Sequence, residues 1–206
     1  MPIKTCKICF KNLTKTNLYT YLDKEYCICD ECLKKLNSKF IHFSIFGVDA
    51  ISIYDYDETI KGLLYQFKGC GDYELKNIFL DYYNEFITAK YHGYTMIPAP
   101  SSDEAEKERG FNQVVEMFLR IKLPMMRCIH KVNDVKQHTL TSKERSEIKN
   151  LLCIDDVDLS KKKILIVDDV YTTGSTVKTM ISLIKTKNPK RIEVLVMSKT
   201  IDLDLR

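Results

Sequence analysis

The sequence predicts a mostly parallel α/β sheet covered by helices on both faces, preceded by a small module built on four cysteines. Three observations carry that expectation. Strand-length apolar runs alternate with helical stripes through the second part of the chain, the order that gives a parallel sheet. One of those runs, Ile164 to Val167, has no polar alternation, as a central strand buried on both faces requires. Five of the eight cysteines fall within the first 32 residues.

Composition excludes several classes. With 45% apolar and 29% charged residues over 206 positions, the chain is an ordinary globular protein with room for one full-sized domain and an appendage. It has no apolar run of the roughly 18 residues that would suggest a membrane span. The start, MPIKTCKICF, lacks the apolar stretch of a secretory signal, so the expected location is the cytoplasm. A net charge of +4 permits an anionic partner without demanding one. The basic residues are uneven: residues 1–40 hold eight lysines against four acids, and Lys161 to Lys163 and Lys185 to Arg191 form further clusters. Such runs are most simply solvated faces.

The elements follow in order. Cys6-x-x-Cys9 and Cys29-x-x-Cys32 are two knuckles whose four thiolates suit the tetrahedron of a structural Zn2+ site. The segment is too poor in large apolar residues to build its own core, so the metal is expected to supply much of its folding energy. Cys27 lies close enough to replace one ligand of the second knuckle; equal spacing of the two knuckles favours Cys29 and Cys32. The boundary is placed at 44/45, giving a zinc module over 1–44 and the α/β domain over 45–206. Val48 to Tyr56 reads as a strand. Ile60, Leu63, Leu64 and Phe67 give a helical stripe, and Leu75, Ile78, Phe79, Tyr82, Tyr83 and Phe86 a second. Tyr94 to Ile97 is a short strand ended by Pro98-Ala99-Pro100. Phe111, Val114, Val115, Phe118 and Leu119 mark a helix with Phe111 in the core, and Met126 to Val132 a strand. Thr141 to Glu144 has the spacing of a capping box. Strand Lys163–Val167, helix Ser175–Lys187 and strand Arg191–Met197 complete the pattern.

The chemistry concentrates after Val167. Asp168 and Asp169 are expected where the strand emerges, followed by Tyr171-Thr172-Thr173-Gly174-Ser175-Thr176 and a helix. Ligands of open α/β sheets bind at that carboxyl edge. Gly174 permits a tight turn, successive N–H groups can form an anion nest, and the helix start adds free donors and positive dipole. The hydroxyls of Thr172, Thr173, Ser175 and Thr176 add donors. The two carboxylates are placed to accept bonds from vicinal hydroxyls or to touch a hydrated Mg2+. Tyr171 faces either ligand or solvent. No GxxxxGK[ST] occurs, which sets aside a P-loop nucleotidase.

Ile166-Val167-Asp168-Asp169 with Thr173-Gly174-Ser175-Thr176 resembles the 5-phosphoribosyl pyrophosphate (PRPP) motif of type I phosphoribosyltransferases. Pro98-Ala99-Pro100-Ser101-Ser102, Arg109-Gly110-Phe111-Asn112-Gln113, Gln137 to Leu140 with Arg145, and the paired cysteines resemble the ComF family of competence-associated proteins, nearly along the whole chain. The resemblance implies a type I phosphoribosyltransferase fold, PRPP as ligand with Mg2+, and a role in natural transformation alongside single-stranded DNA and DNA-uptake machinery proteins. On physical grounds Ala99, Pro100, Ser101 and Ser102 become the candidate pyrophosphate turn, Arg109 a bidentate phosphate contact, and Gln137 to Arg145 a flap over the site. Asp168 and Asp169 are the candidate catalytic pair. Two expectations stand side by side: a Mg2+-dependent phosphoribosyl transfer, and a non-catalytic DNA-binding adaptor that uses the same pocket for a nucleotide-like ligand.

Overall fold

The computed structural model describes residues 4–13, 27–101, 103–132 and 152–200. Ser102, the capping box and the flap segment Gln137 to Arg145 with His138 lie outside the described residues. The chain runs α1 (Asp30–Leu36), β1 (Ile41–Ile45), β2 (Val48–Asp55), α2 (Glu58–Gly69), α3 (Asn84–Lys90), β3 (Tyr94–Pro98), α4 (Asp103–Arg109), α5 (Gln113–Phe118), β4 (Ile129–Lys131), β5 (Leu152–Ile154), β6 (Lys163–Tyr171), α6 (Ser175–Lys185) and β7 (Arg191–Lys199).

Five strands form one sheet in the order β1-β2-β7-β6-β3. Only the β1–β2 hairpin is antiparallel; β2, β7, β6 and β3 run parallel. Strand alternation divides the core between the two faces. Leu165, Val167, Leu195 and Met197 meet Leu63, Leu64 and Phe67 of α2 and Phe118 of α5. Ile164, Ile166, Val194 and Val196 meet Val177, Met180, Ile181 and Ile184 of α6. Each such Leu, Ile or Phe, fully buried, contributes roughly 1.5–3 kcal/mol, so α2 and α6 are held mainly by their stripes.

The expected continuous helix over Leu75 to Phe86 is instead two 3-10 turns, Tyr73–Asn77 and Asp81–Tyr83, followed by α3. The cause is competition for a carbonyl. Tyr54 donates its hydroxyl proton to the Phe79 carbonyl at 2.7 Å, and the Tyr83 N–H, which an α-helix would bond there, bonds the Leu80 carbonyl. The kink turns Asp81 inward, where it is 3% exposed and paired with Arg120 and Asn84. The strand expected over Met126 to Val132 shortens to β4, which pairs with β5 in a separate two-stranded sheet. Phe111 precedes α5 and stacks on Phe67 with ring centroids 5.2 Å apart. Asn112 caps α5 through the Val115 N–H.

The cysteine segment is packed into this fold. Cys6, Cys27, Ile28, Cys32 and Leu36 share one cluster of buried residues with α2 and the sheet face. Among the described residues no helix is long and apolar enough to cross a membrane.

Candidate functional site

The site is built where β6 and β3 end side by side. The chain after β6 enters α6, which packs on one face of the sheet, while the chain after β3 leads to α5, which packs on the other. Connections that leave neighbouring parallel strands toward opposite faces open a crevice beyond the strand ends. Both candidate loops lie there: the turn after β6 and the turn after β3, joined by the Ala99 N–H to the Val167 carbonyl at 2.8 Å.

β6 continues through the acid pair to Tyr171, so Asp168 and Asp169 sit on the strand rather than after it. They are 9% and 7% exposed. Asp169 has the parity of Leu165 and Val167 and faces α2; Asp168 has the parity of Ile164 and Ile166. Backbone donors hold both carboxylates: the Asp169 N–H bonds Asp168 Oδ1 at 2.8 Å, and the Val170 N–H bonds Asp169 Oδ1 at 2.6 Å. Burial, and then the neighbouring Asp169 charge, push the Asp168 carboxyl well above the ordinary carboxylate range. On the other oxygen, Asp169 Oδ2 is paired with the ammonium of Lys68, from the last turn of α2. Sequence reasoning did not find Lys68. It looks like an ordinary basic residue near a helix C-terminus, and no local pattern links it to β6.

The turn after Tyr171 has the conformation an anion nest needs. Gly174 takes φ 71° and ψ 12° as the residue just before α6 and, as a glycine, gives that helix no side-chain cap of its own. A Cβ at Gly174 would lie 2.4 Å from the Tyr171 ring, so the aromatic side chain folds over the turn, with its ring edge to face against Phe43. Thr172, Thr173 and Ser175 are exposed and Thr176 half-buried. Thr173 Oγ1 accepts the Ser175 N–H at 3.4 Å, and Lys178 Nζ holds the Thr173 carbonyl at 3.0 Å.

The turn after β3 offers less than its sequence suggested. The Ala99 N–H is already bonded to β6, and Pro100 has none. Ser101 is therefore the donor this turn provides among the described residues. Arg109 reaches it: its Nη2 donates to Gln113 Oε1 at 2.6 Å and to Ser101 Oγ at 3.4 Å, while Nε is buried without a partner. Glu106, three residues before Arg109, holds Arg127 through both oxygens at 3.0 Å. Arg109 and Lys68 also line a cavity of about 600 Å³ with Tyr56, Lys61, Tyr65 and Gly69.

The second centre is sulfur. Cys6, Cys9, Cys29 and Cys32 bring their Sγ atoms within 4.8 Å of one another. Cys9 and Cys29 sulfurs are 3.7 Å apart, against about 3.8 Å for corners of a tetrahedron with 2.3 Å zinc–sulfur bonds. The N–H groups of Cys29 and Cys32 point at the sulfurs of Cys6 and Cys29. Burial and then the neighbouring thiols push Cys32 above its usual range, a crowding that a divalent cation at the centre reverses. For Cys6 burial acts upward too, but N–H groups of Cys9, Cys29 and Ile8 outweigh it and lower the thiol to about 7. The fifth cysteine points elsewhere: Cys27 Sγ lies 3.9 Å from Asp81 Oδ2. The cluster is thus compatible with structural zinc and settles which four sulfurs converge.

Residues 112–201, which include β6, the turn and β7, match the family model of the phosphoribosyl transferase domain. The "Competence protein ComFC" of Streptococcus pneumoniae is 26% identical over 171 residues, covering 80% of this chain and 77% of that one. The protein of the same name from Bacillus subtilis is 32% identical over 130 residues. The chain is a homologue of the ComFC competence proteins. Its match spans 61% of this chain and about half, 53%, of the Bacillus relative. Among solved structures, a hypoxanthine phosphoribosyltransferase from Staphylococcus aureus is 15% identical with a TM-score of 0.37, over 62% of this chain and 73% of that one. An adenine phosphoribosyltransferase from Rhodothermus marinus is 14% identical with a TM-score of 0.38, over 82% and 97%. The architecture is a type I phosphoribosyltransferase fold carrying a four-cysteine cluster near its start.

Proposed function

We propose that this ComFC homologue binds PRPP at the carboxyl edge of β6 and acts in natural transformation, in the cytoplasm, where incoming single-stranded DNA is handled. The observation that supports the PRPP reading is the juxtaposition of a buried acid pair with a glycine-led, hydroxyl-lined helix start. Asp168 and Asp169 would accept the ribose hydroxyls. The 5-phosphate would sit on the N–H groups and hydroxyls of Thr172, Thr173, Gly174, Ser175 and Thr176. Ser101 and Arg109, with Ala99, Pro100 and Ser102 shaping the turn, would hold the pyrophosphate. Transfer would break the bond from the anomeric carbon to pyrophosphate and form one to an acceptor nucleophile, with Asp168 and Asp169 holding the ribose in place.

The chain's own oxygens do not make a ready cage for Mg2+. Asp169 is paired with Lys68, and Asp168 is buried with its carboxyl raised. A Mg2+ ion would arrive on the pyrophosphate oxygens, where its chemistry is to neutralise charge on the leaving group. Residues 1–44 act in this reading as a zinc module on Cys6, Cys9, Cys29 and Cys32, and 45–206 as the phosphoribosyl domain. The adaptor reading, in which lysines of the zinc segment bind DNA, has less to support it. Lys7, Lys11 and Lys39 are paired with Glu74, Glu31 and Asp55.

The test is calorimetric titration of zinc-loaded protein with PRPP and Mg2+, repeated on Asp169→Asn. Saturable binding that weakens at least tenfold in the variant supports the reading. No binding by the wild type removes it. Pyrophosphate release with nucleobase, nucleotide or DNA acceptors then decides between transfer and binding alone.

A further inference from the structure

Lys68 belongs to neither sequence motif, yet its side chain sits at the centre of the site. Its ammonium is paired with Asp169, the two side chains being 28% and 10% exposed. The same side chain lines the cavity shared with Arg109, and Arg109 in turn contacts Ser101 in the turn after β3. One cation therefore touches the acid pair and shares a cavity with the arginine that reaches the turn assigned to pyrophosphate.

A ligand that engages Asp169 must share or displace that ammonium. A neutral diol would displace it and return nothing, leaving a half-buried charge without its counter-charge, which is costly. A diol with an anionic group beside it offers the ammonium a new partner, with a charge-assisted bond in exchange for an ion pair that leaves Asp169 Oδ2 without a hydrogen bond. The four-carbon stem of lysine allows that movement while the charge stays compact.

We propose that Lys68 is a specificity-determining residue that makes this site select a vicinal diol carrying a neighbouring pyrophosphate over the same sugar phosphate without it. The inference rests on the PRPP reading above and assigns that reading's discrimination to α2. Asp169 is held by its ion pair until a ligand brings an anion directly beside the diol, as pyrophosphate does and the distant 5-phosphate does not, so ribose 5-phosphate is refused and PRPP is admitted.

The experiment is calorimetry with two probes, PRPP and ribose 5-phosphate, at fixed Mg2+. It compares the wild type with Lys68→Met, Lys68→Gln and Lys68→Arg, each first shown to be folded by its melting curve. The wild type should prefer PRPP by well over tenfold. Lys68→Met and Lys68→Gln should lose at least tenfold in PRPP affinity, about 1.4 kcal/mol, while ribose 5-phosphate binds as well or better, so the preference contracts. Lys68→Arg should retain most of it. If the neutral variants weaken both probes by one factor, Lys68 merely holds Asp169 in place and the inference is wrong. Unchanged affinities for both would refute it equally. A wild type that binds neither probe refutes the PRPP reading itself, so the two failures appear in different proteins. Should Lys68→Met not fold, Lys68→Gln and the charge-retaining Lys68→Arg carry the same comparison.

Discussion

Replacing Gly174 by alanine perturbs the phosphate turn through two separable effects. The first is conformational: at φ 71° an L-residue pays roughly 1–2 kcal/mol relative to the right-handed region. The second is steric. The new Cβ would fall 2.4 Å from the Tyr171 ring, so the ring must leave its edge contact with Phe43, an aromatic pair worth roughly 0.5–1.5 kcal/mol. Together they predict a loss of about 1.5–3.5 kcal/mol in Gly174→Ala, read by denaturant unfolding, with PRPP affinity falling at least tenfold because the N–H groups before α6 are re-aimed. A double-mutant cycle separates the parts. In a Tyr171→Ala background the ring is gone, so Gly174→Ala should cost only the conformational portion, about 1–2 kcal/mol. Equal costs in the two backgrounds would refute the packing argument, and a cost under about 0.5 kcal/mol in the wild type would refute both.

Two further outcomes follow from the cysteines and the acid pair. Cys29→Ser should lose the zinc that Cys27→Ser retains, measured as metal content after purification, because Cys27 Sγ faces Asp81 while the other four sulfurs converge; equal loss in both variants would contradict the assignment. The raised Asp168 carboxyl sets a pH dependence of stability. The folded chain holds that proton more tightly than the unfolded one, so the stability it contributes is full below the unfolded carboxylate value. It is lost as pH rises from there through the raised folded value. Asp168→Asn should therefore melt above the wild type at neutral pH, the gap closing toward pH 4; a gap independent of pH would sink the argument.

The sequence was legible wherever a local pattern carried the information. The unbroken run Ile164 to Val167, the stripes of α2 and α6, and the paired knuckles each follow from period or spacing alone. The acid pair and Gly174 were visible because a phosphate turn needs particular residue types in contiguous order. Elsewhere local pattern misled. The stripe from Leu75 to Phe86 has helical period, but the Tyr54 hydroxyl takes the Phe79 carbonyl, a bond from a distant strand that no window of sequence contains. The turn after β3 has fewer free donors than its sequence implies, because the Ala99 N–H is bonded to β6.

What the sequence by itself determined is the architecture and the acid-pair-and-turn motif at the end of β6, since burial, helix period and turn chemistry act between neighbours along the chain. Tertiary structure alone decided which charges meet. It seated Lys68 on Asp169, sent Cys27 to Asp81 rather than to the other thiols, and gave Arg109 to Ser101 and Gln113 rather than to Glu106. The physical reason is that a side-chain ion pair or hydrogen bond depends on where folded elements cross, and α2 and β6 are brought together only by packing a common apolar face.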